Sequence, residues 1–302
     1  MTGKKLRIGI VGLDTSHASA FTQLLHDKNH AYHVPGGEVA VAFPGGSADF
    51  EMSYSRIVGF TEQIRNQYGV TIVDSPEAVA EKCDAVLLLS VDGRVHLEQF
   101  RRIAAYRKPV FIDKPMAVCS ADARAIAELA RLHGVPLMSC SALRYAEGLT
   151  EALQESESGK VIGMDCYGPM ALQPTQPGLF WYGVHTVEML YRTLGKGCKR
   201  VSAVTNEEHD FVIGEWENGM IGTIRGNRRG NSQFGVLLHR ENHTRFIDVY
   251  NHPKSYYASL LEKIMSLFTT GKSDIDVEET FQMIRFMEAA NESRVSGLAV
   301  NL

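Results

Sequence analysis

The sequence predicts an α/β fold, with an N-terminal Rossmann-type doubly wound parallel sheet and a C-terminal α+β domain carrying an open, mainly antiparallel sheet. Two patterns predict it. In the first half, short continuous apolar runs alternate with amphipathic helical stretches, as in a parallel sheet covered on both faces. After Glu151 the apolar runs follow one another through short turns, which makes neighbouring strands antiparallel. A chain of 302 residues is also about two domains long. The expected division is 1–142 for the Rossmann domain and 143–302 for the α+β domain.

The expected parallel strands are Leu6–Val11, Val39–Phe43, Ala85–Ser90, Pro109–Ile112 and Val135–Ser139. Helical periodicity between them covers His17–His26, Ser55–Tyr68, Val95–Tyr106 and Ala121–His133. Asp27–Gly37 reads as an exposed insertion. In the second half a helix over Tyr182–Leu194 precedes strands at Val201–Thr205, Phe211–Glu217, Met220–Arg225, Phe234–Arg240 and Thr244–Tyr250. Glu217-Asn218-Gly219 is a hairpin signal, because Asn-Gly suits a type I′ turn. Helices at Tyr257–Thr269 and Val277–Glu292 and a short strand at Leu298–Val300 close the chain.

Composition narrows the function. Hydrophobic residues are 44% and charged residues 22% of the chain, as in a globular protein with a core. A net charge of −4 gives no general attraction to nucleic acid or anionic membrane. No apolar run reaches the ~18–20 residues of a membrane span, and Met1-Thr2-Gly3-Lys4-Lys5 leads into a strand without a leader-like segment. The five cysteines are widely spaced and form no CxxC pair, so reduced thiols and a cytoplasmic location are expected. His26, His30 and His33 have metal-like spacing, but no acid or cysteine set completes a site, and solvated loop histidines are the expectation.

The first turn reads Gly12-Leu13-Asp14-Thr15-Ser16-His17. A G-x-G-x-x-G turn lets backbone approach a pyrophosphate and sets it on a helix N-terminus. Only the first glycine is present here. Asp14 and His17 hold the places of the other two. Gly12, Asp14, Thr15, Ser16 and His17 are the candidate phosphate-binding residues; the competing reading is that Asp14 or Ser16 caps the following helix. A carboxylate at position 14 is expected beside the pyrophosphate, weakening its binding. The second strand ends at Phe43-Pro44-Gly45-Gly46-Ser47 without the acid that holds ribose hydroxyls in NAD sites. The Gly-Gly-Ser run is either an anion nest or a flexible turn, so NAD and NADP stay open.

Ile8-Gly9-Ile10-Val11-Gly12, Asp84–Ser90 followed by His96, and Phe111-Ile112-Asp113-Lys114-Pro115 stand in that order along the chain. Gly183-Val184-His185 and a C-terminal Ser293…Ser296-Gly297…Val300-Asn301-Leu302 come after them. With this order the chain resembles the Gfo/Idh/MocA oxidoreductases, named for glucose–fructose oxidoreductase and inositol dehydrogenase. The resemblance implies an NAD or NADP cofactor and a sugar- or polyol-like substrate oxidised at a hydroxyl or reduced at a carbonyl. It places Lys114 near the nicotinamide and substrate hydroxyl, with Asp113 in place of the usual glutamate, and Ser90 and His96 bordering the cofactor. Partial burial beside a cationic ring lowers a lysine pKa and permits proton exchange near neutrality.

His185 is the second catalytic candidate, a general base on the substrate hydroxyl. The bland alternative is a helix-start histidine bonded to Glu188. Val184, Val187, Tyr191 and Leu194 form the buried stripe of the same helix. The family's Asp-x-Gly-x-His reads Trp181-Tyr182-Gly183-Val184-His185 here, so Trp181 offers a stacking face and Tyr182 a hydrogen bond where the family has an acid. Arg144 is a further substrate candidate, and Arg225, Arg228 and Arg229 read as either an anion site or a charged hairpin edge. The degenerate glycine turn and Trp181 keep a catalytically silent nucleotide- or sugar-binding protein in play. Non-redox chemistry on a tightly held cofactor is the third reading. An open sheet leaves one face needing cover, so a homo-oligomer, dimer or tetramer, is expected.

Overall fold

The computed structural model describes residues 5–155 and 157–302; the opening Met1–Lys4, expected to be free of a leader, lies outside them. The chain forms two compact units. The first comprises the chain up to Ala117, Ala121–Cys140 and Tyr257–Val277; the second comprises Val118–Ser120, Ser141–Tyr256 and Glu278–Leu302.

In the first unit β1 (Leu6–Val11), α1 (Ser16–His26), β2 (Gly37–Phe43), α2 (Glu51–Tyr54), α3 (Ile57–Tyr68), β3 (Thr71–Ile72) and α4 (Pro76–Lys82) come first. Then come β4 (Ala85–Leu88), α5 (His96–Ala104), β5 (Val110–Asp113), α6 (Ser120–His133) and β6 (Leu137–Cys140). The strands pair in parallel in the order β3-β2-β1-β4-β5-β6. The chain reverses direction across the sheet between β1 and β4, the place where doubly wound folds bind ligands. All four residues of β4 and of β5 are buried, as the continuous apolar runs require. The sequence reading passes over β3, two residues long, and over α4, which Ser75 caps through Ala78 N with Pro76 in the first turn.

The insertion after α1 is tied down by the three histidines with metal-like spacing. His26 Nε2 accepts from Val39 N at 3.0 Å, His30 Nδ1 accepts from Tyr32 N at 3.0 Å, and His33 Nδ1 lies 2.9 Å from Leu24 O. Burial lowers the His26 pKa, which suits an imidazole acting as acceptor. No metal-binding group of three or more His, Cys, Asp or Glu occurs among the described residues.

The second unit holds α7 (Glu147–Gln154), β7 (Val161–Pro169), α8 (Gly183–Leu194), β8 (Cys198–Thr205), β9 (His209–Trp216), β10 (Ile221–Asn227), β11 (Gly235–Arg240) and β12 (Thr244–Asp248). After α9 (Tyr256–Thr270), α10 (Val277–Ser296) and β13 (Val300–Asn301) complete it. Its sheet runs β12-β11-β7-β10-β9-β8-β13, with β7 and β10 parallel and every other pair antiparallel. The sheet is therefore mixed, mostly antiparallel. The parallel pair comes from β7, which Gly163, Asp165, Gly168 and Pro169 hide from pattern reading although it occupies the centre. Gly219 closes the expected hairpin at φ +87°, its N–H donating to Trp216 O at 3.0 Å.

One face of this sheet packs on α8. Gly214 and Gly222 are cross-strand partners, and a Cβ on either would fall within 2.8 Å of Phe286, Trp216 or Leu194 side chains. Side-chain-free positions at the strand pair thus let the large aromatic groups seat. The other face carries exposed Phe211, Leu237 and Phe246 around a groove of about 410 Å³, with Asp165, Tyr167 and Arg225 also at its walls.

Two expectations about domain limits need correction. The first unit ends at Cys140 rather than at residue 142, and α9 belongs to it rather than to the second. Periodicity shows that α9 has an apolar face but not which sheet that face covers. Tyr257 packs edge-on against His17 at 4.8 Å, and a Cβ on Gly37 would meet Met265 at 3.0 Å.

Asp210 is fully buried in the second unit. It accepts from Arg294 Nε at 2.8 Å and from Arg228 Nη1. Arg228 therefore fastens the β9–β10 edge instead of waiting for an anion, and Arg229 pairs with Glu208 at the surface. Removing one partner of a buried ion cluster leaves charge without compensation. Asp210→Ala is expected to destabilise the protein by about 3–5 kcal/mol, measured by chemical denaturation against wild type.

Candidate active site

The carboxyl ends of β1, β4 and β5 converge through a set of short contacts. Gly12 has φ +97°, and a Cβ there would come within 2.3 Å of Ser90 N. The turn after β1 is therefore pressed onto the end of β4, and only glycine permits it. Thr15 is the N-cap of α1, its side chain accepting from His17 N at 3.3 Å; neither Asp14 nor Ser16 caps. Ser16 is exposed at the helix start, and Phe43 is half-buried.

Asp14 corrects the main electrostatic expectation. Its side chain is fully buried and accepts from Ser53 Oγ at 2.6 Å and from Val91 N at 3.0 Å. Burial raises its pKa, with the Ser53 and Val91 bonds pulling the other way. The carboxylate is turned into the protein and stitches the first turn to α2 and to the end of β4. The charge expected to oppose a pyrophosphate is thus withdrawn from the turn, and on this count the residues present fit a dinucleotide.

His17, at the third glycine position, extends the stitching. Its Nδ1 lies 2.7 Å from Asp113 Oδ2, linking α1 to the end of β5. Burial alone would push the Asp113 pKa up, but the His17 contact and the Lys114 charge outweigh it and hold the carboxyl low. Lys114 comes next, half-buried; burial lowers its pKa, and Asp113 offsets part of that effect. Ser90 is buried and donates from Oγ to Gln99 Oε1 at 2.9 Å. His96 is also buried, not on a ligand surface: Nε2 lies 2.8 Å from Ser90 O and Nδ1 3.0 Å from Pro115 O. It braces the β4 and Lys-Pro turns from beneath, which corrects its expected place at the cofactor.

In the second unit, Trp181 is buried, while Tyr182 and His185 are half-buried. Tyr182 and Phe234 both present edges to the His185 ring, at 5.8 and 5.4 Å. His185 Nδ1 lies 2.6 Å from Ser141 Oγ. Ser141 Oγ also accepts from Leu143 N at 3.2 Å. Glu188 accepts from Ser141 N at 3.0 Å and from Arg144 Nη1 at 2.9 Å, and Arg144 also pairs with Glu279 at 2.6 Å. Arg144 is thus buried between two carboxylates, correcting its expected role as a substrate ligand. Sequence reading missed Ser141 because a lone serine after a strand carries no signal of its partner.

Geometry and chemistry together describe a Rossmann domain with a half-buried lysine turn at the end of its fifth strand. Residues 6–140 match the family model for the Gfo/Idh/MocA proteins, described as an oxidoreductase family with an NAD-binding Rossmann fold. No curated protein matches the sequence. Among solved structures, the fold is similar to a scyllo-inositol dehydrogenase from Lactobacillus casei, with TM-score 0.81 and 14% identity over 100% of this chain and 99% of that one. Myo-inositol 2-dehydrogenase from Lactobacillus plantarum gives 0.80 and 16% over 99% and 100%. GenD2 from gentamicin A biosynthesis, solved with NAD, gives 0.80 and 16% over 100% and 97%. At these identities the likeness is one of fold.

The lowered Lys114 pKa has a signed consequence for stability. The unfolded chain binds this proton more tightly than the folded one. Stability therefore rises with pH between the depressed folded value and the ordinary lysine value of about 10.4. Lys114→Met is expected to be more stable than wild type at neutral pH, with the gap closing as the pH approaches that value. Urea denaturation of both proteins at several pH values checks this; a pH-independent difference would rule out a depressed lysine.

Proposed function

We propose that the protein is an NAD(P)-dependent oxidoreductase acting on a hydroxyl or keto group of a sugar- or polyol-like small molecule. The observation that carries this is Lys114, at the end of β5 in a family Lys-Pro turn, with burial lowering its pKa. Gly12, Thr15 and Ser16 would hold the pyrophosphate, and the Asp113-Lys114 turn would lie at the nicotinamide end. The bound nicotinamide supplies the hydride acceptor or donor. Lys114 Nζ takes the hydroxyl proton as the alcohol is oxidised, or returns it in reduction. His185, steadied by Ser141, is proposed as the second proton-transfer group. The polyol assignment draws on the inositol dehydrogenases of similar fold; Trp181, expected as a stacking face for a sugar ring, is buried in the core instead.

A cytoplasmic location is proposed on the five widely spaced cysteines, which form no CxxC pair. Among the described residues no helix is long and apolar enough to cross a membrane. A second copy of the chain is the proposed cover for the exposed sheet face bearing Phe211, Leu237 and Phe246.

Two measurements bear on these readings. With a panel of inositols and sugars and either nicotinamide cofactor, Lys114→Ala should lose about 10²–10⁴ of turnover while cofactor affinity stays within a few-fold. Retention of more than about a tenth of the activity would remove Lys114 from proton transfer, and cofactor binding without turnover on any substrate would favour the silent reading. By sedimentation, wild type should run as a dimer or tetramer and Leu237→Asp/Phe246→Asp as a monomer. A wild-type monomer at tens of micromolar would end the oligomer proposal.

A further inference from the structure

We infer that the protein takes NAD in preference to NADP, and that Asp49 and Asp92 make the choice through their hold on Arg94. The inference rests on the proposed dinucleotide reading and goes beyond it to the 2′ position of the adenosine ribose. In doubly wound folds that position lies by the end of the second strand. An acid there engages the ribose diol, whereas an available arginine accommodates a 2′-phosphate.

The end of β2 offers Phe43 and no acid. The chain beyond it bends back toward the β1 and β4 turns. Leu13 N donates to Pro44 O at 2.7 Å, and a Cβ on Gly45 would stand 3.4 Å from Gly12 Cα and 3.6 Å from Ser90 Oγ. Positive φ at both Gly45 and Gly46 makes the bend possible. Ser47 then fixes it, its Oγ donating to Asp92 Oδ2 at 2.7 Å and its N–H to Ser53 Oγ at 2.8 Å. The Gly-Gly-Ser run is therefore no open anion nest. Both Ser47 donors are spent inside the protein.

The cation at this lip is Arg94, and it too is spent. Its Nε and Nη2 reach Asp92 at 3.0 and 2.7 Å, while Nη1 and Nη2 reach Asp49 at 2.9 and 2.8 Å. A planar guanidinium fork matched by two carboxylates has little left for a third anion. Within this cluster one positive charge stands against two negative ones. A 2′-phosphate would have to draw Arg94 from a fully buried carboxylate and then face both acids. A ribose diol carries no charge and meets neither cost.

Titration of the purified protein with NADH and with NADPH at fixed ionic strength, monitored by nicotinamide fluorescence and calorimetry, tests the inference without turnover. NADH should bind at least thirtyfold more tightly. Asp49→Ala, at an exposed position, should keep the wild-type melting temperature, raise NADPH affinity five- to tenfold and leave NADH within twofold. Equal wild-type affinities, tighter NADPH binding, or an Asp49→Ala change shared by both cofactors would overturn the inference while leaving the dinucleotide reading intact. Binding of neither cofactor at millimolar concentration would overturn that reading, and the inference with it.

Discussion

Much of the first unit depends on the contact between the β1 turn and the end of β4. Gly12 leaves no space for a Cβ against Ser90, and the buried Asp14 carboxylate bonds across the same seam to Val91 N. A carboxylate in that position must be hydrogen-bonded, because an unpaired one would cost several kcal/mol of desolvation. Ser53 Oγ of α2 supplies the second bond. The same serine receives Ser47 N. The seam, the loop after β2 and the Arg94 cluster are accordingly one connected polar structure.

The departures from the G-x-G-x-x-G pattern gain meaning from that structure. Aspartate and histidine at glycine positions look like damage to a phosphate-binding turn. In three dimensions Asp14 turns inward and His17 reaches Asp113 beside Lys114. Both substitutions are spent on internal cross-links among strand ends that a glycine-rich turn leaves independent. Positions chosen elsewhere for the absence of a side chain have here become fasteners.

The fold was legible wherever burial on both faces writes a continuous apolar run. β1 spans the predicted Leu6–Val11, and β4 and β5 fall within a residue or two of expectation. The stripe Val184, Val187, Tyr191 and Leu194 is buried as its spacing required. Features that depend on partners far along the chain escaped. β7 is central yet broken by glycine and aspartate, and its parallel pairing with β10 leaves no local trace. For the site, the types and strand-end location of Lys114 and His185 could be read directly. The inward turn of Asp14, the burial of His96 and Arg144, and the Ser141–His185 contact could not, since each is set by a neighbour 40 or more positions away or by a carbonyl that any residue might present.

The passage of α9 into the first unit bears on how the polypeptide can be made and handled. Tyr257–Val277 joins that unit after more than a hundred residues of the other have intervened, and its Leu260, Leu261, Ile264 and Leu267 are almost entirely enclosed. A ribosome emits this helix only after Ser141–Tyr256, so the first unit stays incomplete until that later stretch has emerged. N-terminal domains ordinarily finish folding before the domains made after them. Here the two units mature together, and a fragment cut after β6 would expose the apolar surface that α9 covers. Neither half is a separable cassette for fusion or exchange.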